Sequence, residues 1–226
     1  MEVKLLNHTP LSIADIAICK CYGNEPHSDK EKVKARINRV ANVSKHASTI
    51  EHLNYSFDID GISRACLQEL ARHRIASYTV KSSRYTLQEL KNEDTFIWKG
   101  RIASMFGDGT RYDTKRASKF VVLFGDEEDG NLSLNQRLNS SIVKNLENLR
   151  LVLQDDTNDR AKYCMPEAYK TSLVMTINAR ALQNFLELRS SKHALWEIQL
   201  LAKAMYDVLP NDHKFLYDYI YAGDVI

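Results

Sequence analysis

Residues 53–59, Leu-Asn-Tyr-Ser-Phe-Asp-Ile, alternate apolar and polar without a break. Leu53, Tyr55, Phe57 and Ile59 therefore share one face of a strand, and Asn54, Ser56 and Asp58 share the other. A second β-rich run, 171–177 (TSLVMTI), comes only far along the chain. The sequence between and after these runs is mostly helical in periodicity, without regular strand–helix–strand alternation. This pattern points to an α+β fold, with mixed helices around a central, mainly antiparallel sheet, rather than a doubly wound one.

The helices carry their own punctuation. Thr9 and Pro10 suit the start of a helix, LSIADIAICKCY continues it, and Gly23 stops it. Ser28 followed three residues later by Glu31 reads as a capping box opening a basic helix, EKVKARINRVANV. Asp60-Gly61 reads as a turn after the first strand, and GISRACLQELARHR as a helix ending near His73. Residues 86–133 hold five of the eight glycines and an acidic piece, GDEEDG, and read as an excursion with a short strand at 118–124. Strong helical spacing covers 134–154. Further helices are expected at 179–189, at 191–208 before Pro210, and at 211–221. No linker, repeat or low-complexity stretch divides the chain, so one domain over 1–226 is expected.

With 31 Lys and Arg against 29 Asp and Glu, the net charge of +2 is too small to argue for a nucleic-acid or anionic-membrane partner. No apolar run approaches the roughly 18 residues a membrane helix needs, and the N-terminal segment is a poor signal peptide. Four scattered cysteines do not make a disulfide scaffold, so a reduced, cytoplasmic chain is the simple expectation.

The densest polar cluster is 72–85, RHRIASYTVKSSRY, which reads as a polar loop. Arginine forks and hydroxyls are the donors that suit phosphate oxygens. The same composition also describes a solvated basic turn, and spacing alone leaves both open. A second cluster, Asn178, Arg180, Asn184, Arg189 and His193, is interleaved with Leu182, Phe185, Leu186 and Trp196. Arg180 and Asn184, and Arg189 and His193, are spaced to share a helix face. An arginine at the edge of such an apolar surface calls for an anionic partner. A third cluster holds His46, Ser48, Glu51 and His52. There is no HExxH and no Cys/His framework, so no metal site is expected.

Arg72-His73-Arg74, seven residues, Ser82 and then Arg84-Tyr85 resembles the RHRx7S signature of the flavin-dependent thymidylate synthases. STIEHLNYSFDI and INARALQNFLELRSSKHALWEIQ are similar to that family's first-strand approach and its C-terminal helix pair, and the ending 221–226, YAGDVI, also fits. The resemblance implies methylation of dUMP to dTMP by an FAD enzyme. It also implies 5,10-methylenetetrahydrofolate as carbon donor, NADPH as reductant and a homotetramer that builds each active site from several subunits. It assigns FAD to His46, Ser48, Arg72, His73, Arg74, Asn178, Arg180, Asn184 and His193. It assigns dUMP to Glu69, Ser82, Arg84, Tyr85, Lys162 and Arg189, with Arg189 and Ser82 as the catalytic pair and Arg189 polarising the uracil. Four positions depart from the family pattern: Glu69 where Gln is usual, Thr79 where Asn is common, Val80 where Glu is usual, and Lys162 where Arg is usual. A nucleic-acid-binding module using the 72–85 loop, with Tyr78 and Tyr85 stacking on bases, is the alternative expectation; a catalytically dead relative is disfavoured by the intact motif.

Overall fold

The computed structural model describes residues 1–98, 112–125 and 132–221. In chain order the elements are β1 (Glu2–His8), α1 (Ser12–Tyr22), α2 (Lys30–Ile37), β2 (Asn54–Ser63), α3 (Arg64–Leu70), β3 (Ala76–Val80), α4 (Ser83–Thr86), α5 (Gln88–Lys91) and α6 (Thr114–Ala117). There follow α7 (Leu132–Asp155), α8 (Asn158–Ala161), β4 (Lys170–Asn178), α9 (Ala179–Arg189), α10 (Trp196–Asp207) and α11 (Asp218–Tyr221). They group into two compact units, one of Met1–Asp60, Gln68–Val80 and Ser172–Ile226, the other of Gly61–Leu67 and Lys81–Thr171.

The first unit holds a sheet of order β1-β2-β4-β3. β2 and β4 match the two expected strands, and the alternation of β2 buries Tyr55, Phe57 and Ile59 completely. β1 was not expected. It pairs antiparallel with β2, Leu5 opposite Phe57, but its register shifts between Leu5 and Asn7. The alternation readable in sequence is thus cut to Val3-Lys4-Leu5 before the irregularity. Asp60-Gly61 is not a turn: β2 runs through it to Ser63, with Gly61 taking a left-handed φ of 75°. Consequently α3 starts only at Arg64 and stops at Leu70, short of His73. β3 lies inside the stretch expected to be a loop; its Ser77 and Thr79 are exposed, so it carries little apolar signal.

Helix ends follow local chemistry. Gly23 ends α1 as expected, at φ 66° with its N–H on the Cys19 carbonyl. Thr9 does not cap α1; its hydroxyl accepts the Asn54 N–H at 3.1 Å. α2 is capped by Asp29 rather than Ser28: the Asp29 carboxylate accepts the N–H groups of Glu31 at 2.9 Å and Lys32 at 3.4 Å. An acid there also suits the positive end of the helix dipole. α2 passes directly into a π-helical turn, Asn38–Val43. α10 begins at Trp196, and the expected last helix is a 3-10 turn, Lys214–Leu216, followed by α11. Leu182, Phe185 and Leu186 of α9 and Ile198, Leu201 and Met205 of α10 are fully buried. At roughly 1.5–3 kcal/mol for each such side chain, these helices are held by their apolar faces.

The Tyr55 hydroxyl and His213 Nδ1 are hydrogen-bonded at 2.9 Å in this core. Burial, with a small contribution from His8, pushes His213 down to about 4 against an upward pull from Asp212. Between about 4 and 6.5 the unfolded chain therefore binds a proton that the folded chain does not. Stability should fall as pH drops through that window. Urea midpoints measured from pH 7 to pH 4 will check it, and a flat profile would refute it.

The second unit packs Leu87, Leu90, Phe96, Val143, Leu146, Leu149 and Leu153 into one cluster. α7 matches the expected long helix. The expected strand at 118–124 is not one: only Val121 bridges, to Tyr169. The four-residue α6 precedes it, capped by Asp113 accepting the Arg116 N–H. Most of GDEEDG lies outside the described residues. Glu147 is buried on α7 and takes a two-pronged bond from Arg150, at 3.0 and 2.7 Å. It also accepts the Thr95 hydroxyl and the Phe96 N–H. Burial alone would raise its pKa, but these donors together hold it below the usual carboxylate value. Glu147→Ala leaves the part-buried Arg150 guanidinium with the Glu93 carbonyl and should cost about 1–3 kcal/mol, read as a lower denaturation midpoint.

No helix among the described residues is long and apolar enough to cross a membrane. Cys19, Cys21, Cys66 and Cys164 are outside any disulfide; Cys19 and Cys66 are buried, Cys21 and Cys164 exposed.

Candidate active site

The pairing of β3 with β4 sets Ala76 opposite Ile177. Residues just before Ala76 therefore lie beside residues just after Ile177. One of these is Asn178, the N-cap of α9, whose Oδ1 accepts the Ala181 N–H at 2.8 Å. That bond uses the oxygen and leaves the amide nitrogen outside the cap. Between the two segments is a cavity of about 730 Å³, lined by Arg72, His73, Arg74, Asn178, Arg180, Asn184, Arg189 and His193 among others. Eight expected site residues, from stretches a hundred residues apart, meet there. Arg180 and Asn184 share a face of α9 as their spacing implies. Arg189 and His193 do not, because α9 ends at Arg189 and His193 sits in the following turn, its N–H on the Ser191 hydroxyl.

Arg189 is held at three of its donors, with only 16% of its side chain exposed. Its Nε–H donates to His73 Nε2 at 2.9 Å. One Nη1–H donates to the Glu69 carboxylate at 2.9 Å, and one Nη2–H to the Glu69 backbone carbonyl at 3.2 Å. A guanidinium has five N–H donors, so two remain for other partners. An imidazole that accepts at Nε2 is neutral and carries its proton on Nδ1. Burial and then the Arg189 charge push the His73 pKa below the ordinary 6.5, Glu69 opposing them. The ring meets Phe185 edge-on, with centroids 4.9 Å apart. Glu69 is not on the cavity wall; it joins the site through Arg189 and, at 3.7 Å, Arg72.

His46 and Ser48 line a second cavity of about 480 Å³, which shares Glu51 and Arg180 with the first. The His46 Nδ1 and Tyr22 hydroxyl are 3.4 Å apart. Lys45, also on this wall, holds a left-handed φ of 59° that is rare outside glycine. Lys45 was not singled out from sequence; Glu51 was grouped with His46, Ser48 and His52 but given no role.

Ser82, Arg84, Tyr85 and Lys162 belong to the other compact unit. Ser82 opens α4: its carbonyl accepts the N–H groups of Tyr85 and Thr86, and its hydroxyl does not cap the helix. Arg84 Nε and Lys162 Nζ both approach Asp159 Oδ1, at 3.2 and 3.4 Å. Asn158 donates to the Arg84 carbonyl at 2.9 Å. Nothing about Asp159 stands out among its neighbours in the chain. Tyr85 is 79% exposed. Tyr78, offered above as a base-stacking ring, is instead half-buried in β3, its hydroxyl donating to the Leu70 and His73 carbonyls. No group of three or more His, Cys, Asp or Glu among the described residues is placed to hold a metal ion.

Residues 4–212 match the family model of the thymidylate synthase complementing protein. The chain is 50% identical over 228 residues to a flavin-dependent thymidylate synthase of Campylobacter jejuni, covering 100% of both chains. It is 51% identical to one of Wolinella succinogenes, covering 96% of this chain and 97% of that one. A crystal structure of thymidylate synthase X from Helicobacter pylori with FAD and dUMP superposes with a TM-score of 0.81 at 47% identity, covering 97% of this chain and 99% of that one. The signature read from 72–85, the full-length likeness to these enzymes and the shared fold agree: the chain belongs to the flavin-dependent thymidylate synthase family.

Proposed function

We propose that this chain converts dUMP to dTMP, with FAD held in the larger cavity, 5,10-methylenetetrahydrofolate as carbon donor and NADPH as reductant. The observation that carries the reading is the convergence of Arg72, His73, Arg74, Asn178, Arg180, Asn184, Arg189 and His193 on one cavity. Its volume is in the usual range for cofactor sites. Its donor set suits a dinucleotide flavin. Arg72, Arg74 and Arg180 are cations for a pyrophosphate. Asn178 and Asn184 are amides for a polar ring edge, while Ile75 and Leu188 give apolar surface for a ring face. When bound, the reduced flavin supplies the hydride; the protein supplies binding, orientation and charge.

The two N–H groups that Arg189 keeps free are the donors for a uracil carbonyl, where negative charge builds as the ring is attacked. Arg84 and Lys162 are the cations for the nucleotide phosphate, and Ser82 and Tyr85 stand in the same segment. Lys162 offers a single point charge where an arginine would offer a planar fork. Assembly as a homotetramer, with each site drawing on more than one copy, belongs to the same reading; light scattering should give four times 25.9 kDa.

The deciding experiment is the absorption spectrum of the purified protein followed by dUMP titration. Flavin absorbance and dUMP-dependent NADPH oxidation are expected, and a colourless protein that cannot be reconstituted with FAD would overturn the proposal. Two substitutions separate the roles. Arg189→Ala should lower turnover by about 10²–10³-fold with flavin retained, the scale seen when one donor to a developing charge is removed. Arg74→Ala should instead weaken FAD binding about tenfold, the size of one charge-assisted bond, measured by flavin fluorescence on dilution.

A further inference from the structure

Glu69 stands where the family pattern has a neutral amide, and it binds the site's own arginines. One carboxylate oxygen takes Arg189 at 2.9 Å, and the other lies 3.7 Å from Arg72. Its backbone carbonyl takes a second nitrogen of Arg189. A glutamine here has one acceptor oxygen, and its amide would turn N–H groups toward a guanidinium that has only N–H groups to offer. Two arms onto two arginines need a carboxylate. Together with His73 at Nε, Glu69 fixes three of the five Arg189 donors and so the plane of the guanidinium. The two remaining donors, one on each terminal nitrogen, then have fixed directions.

We propose that Glu69 is a positioning residue of the reaction, which sets the plane and aim of Arg189 through its carboxylate and carbonyl, rather than a group that touches dUMP. The role rests on the assignment of Arg189 to the uracil above. It also couples to His73. Protonation of the His73 ring removes the acceptor for Arg189 Nε–H and puts a cation against a cation. The charged groups facing that ring are Arg189 from α9, Glu69 from α3 and the neighbouring Arg72; Phe185 packs on it from α9. From β3, Tyr78 meets the His73 carbonyl rather than its ring and, raised to about 12, is uncharged. Glu69 is the only acid in this set, so neutralising it lets His73 stay neutral to lower pH.

The test compares the wild-type holoenzyme with Glu69→Gln. Glu69→Gln should keep its flavin spectrum and a KM for dUMP within about twofold, lose about tenfold or more in kcat, and move the acid limb of its pH–rate profile downward. Nitrogen-15 histidine NMR gives a readout independent of turnover: His73 should carry its proton on Nδ1 in the wild type and titrate at lower pH in the variant. Glu69→Asp keeps the charge but shortens the reach. It should lose turnover with the acid limb unmoved, and it carries the test if Glu69→Gln does not retain flavin. Wild-type kcat and pH profile in both variants would overturn the proposal. So would a loss borne wholly by KM, which would place Glu69 on the substrate. A wild-type protein without flavin and without dUMP-dependent NADPH oxidation would instead overturn the underlying assignment before any variant is made.

Discussion

One antiparallel register underlies the cavity. Because Ala76 pairs with Ile177, the turn that carries Arg72, His73 and Arg74 is delivered to the N-terminus of α9. β4 is buried at Leu173, Met175 and Ile177, and α9 at Leu182, Phe185 and Leu186, so both are anchored by apolar area. β3 is a strand of only five residues with two exposed polar positions, held in place by its partner. The Tyr78 hydroxyl adds a further tie, closing the turn onto the carbonyls of Leu70 and His73. A slip of one residue would turn Tyr78 to the opposite face and move the three basic side chains away from Asn178 and Arg180.

Inside that frame the electrostatics are organised around neutral groups and paired charges. Arg189 is mostly buried, and a buried guanidinium without partners would be costly. It is satisfied by one imidazole nitrogen, one carboxylate oxygen and one carbonyl. The imidazole is useful here because it is uncharged: burial and the cation beside it both work against its protonation. The result is a cation whose geometry is fixed by the chain before any ligand arrives, which is the condition under which fixed donors stabilise developing charge best.

Much of this was legible in the residues. The alternation of 53–59 and the β-rich 171–177 gave the two inner strands, and the spacing of 134–154 and 179–189 gave the long helices. The RHRx7S spacing pointed to the family, which the full-length likeness shows. What escaped did so for identifiable reasons. β1 is interrupted after Leu5, so its period-2 pattern is too short to register. Asp60-Gly61 has turn composition, yet the left-handed φ of Gly61 is spent within β2. The capping box at Ser28 was outcompeted by Asp29 one residue later. Glu69, by contrast, was visible as a departure from the family pattern, but its partner was not. The pairing spans 120 positions and exists only because α3 and α9 are brought together by the fold.

The two departures at charged positions acquire a common physical meaning once their partners are known. A chain that gathers cations for anionic ligands must tolerate them when those ligands are absent. In the first unit Glu69 lies against Arg189 and Arg72; in the second, Asp159 lies against Arg84 and Lys162. The two acids are not equivalent. Glu69 faces a guanidinium that is mostly buried and gripped at two further points, so its pairing is part of the scaffold. Asp159 is 60% exposed, and so is Arg84 to nearly the same degree, so that pair is worth little in water, and in the proposed function it gives way to the nucleotide phosphate. The same residue chemistry thus yields a fixed cation where charge must be met in one orientation. On the proposed function, it yields a releasable pair where the nucleotide has to enter and leave.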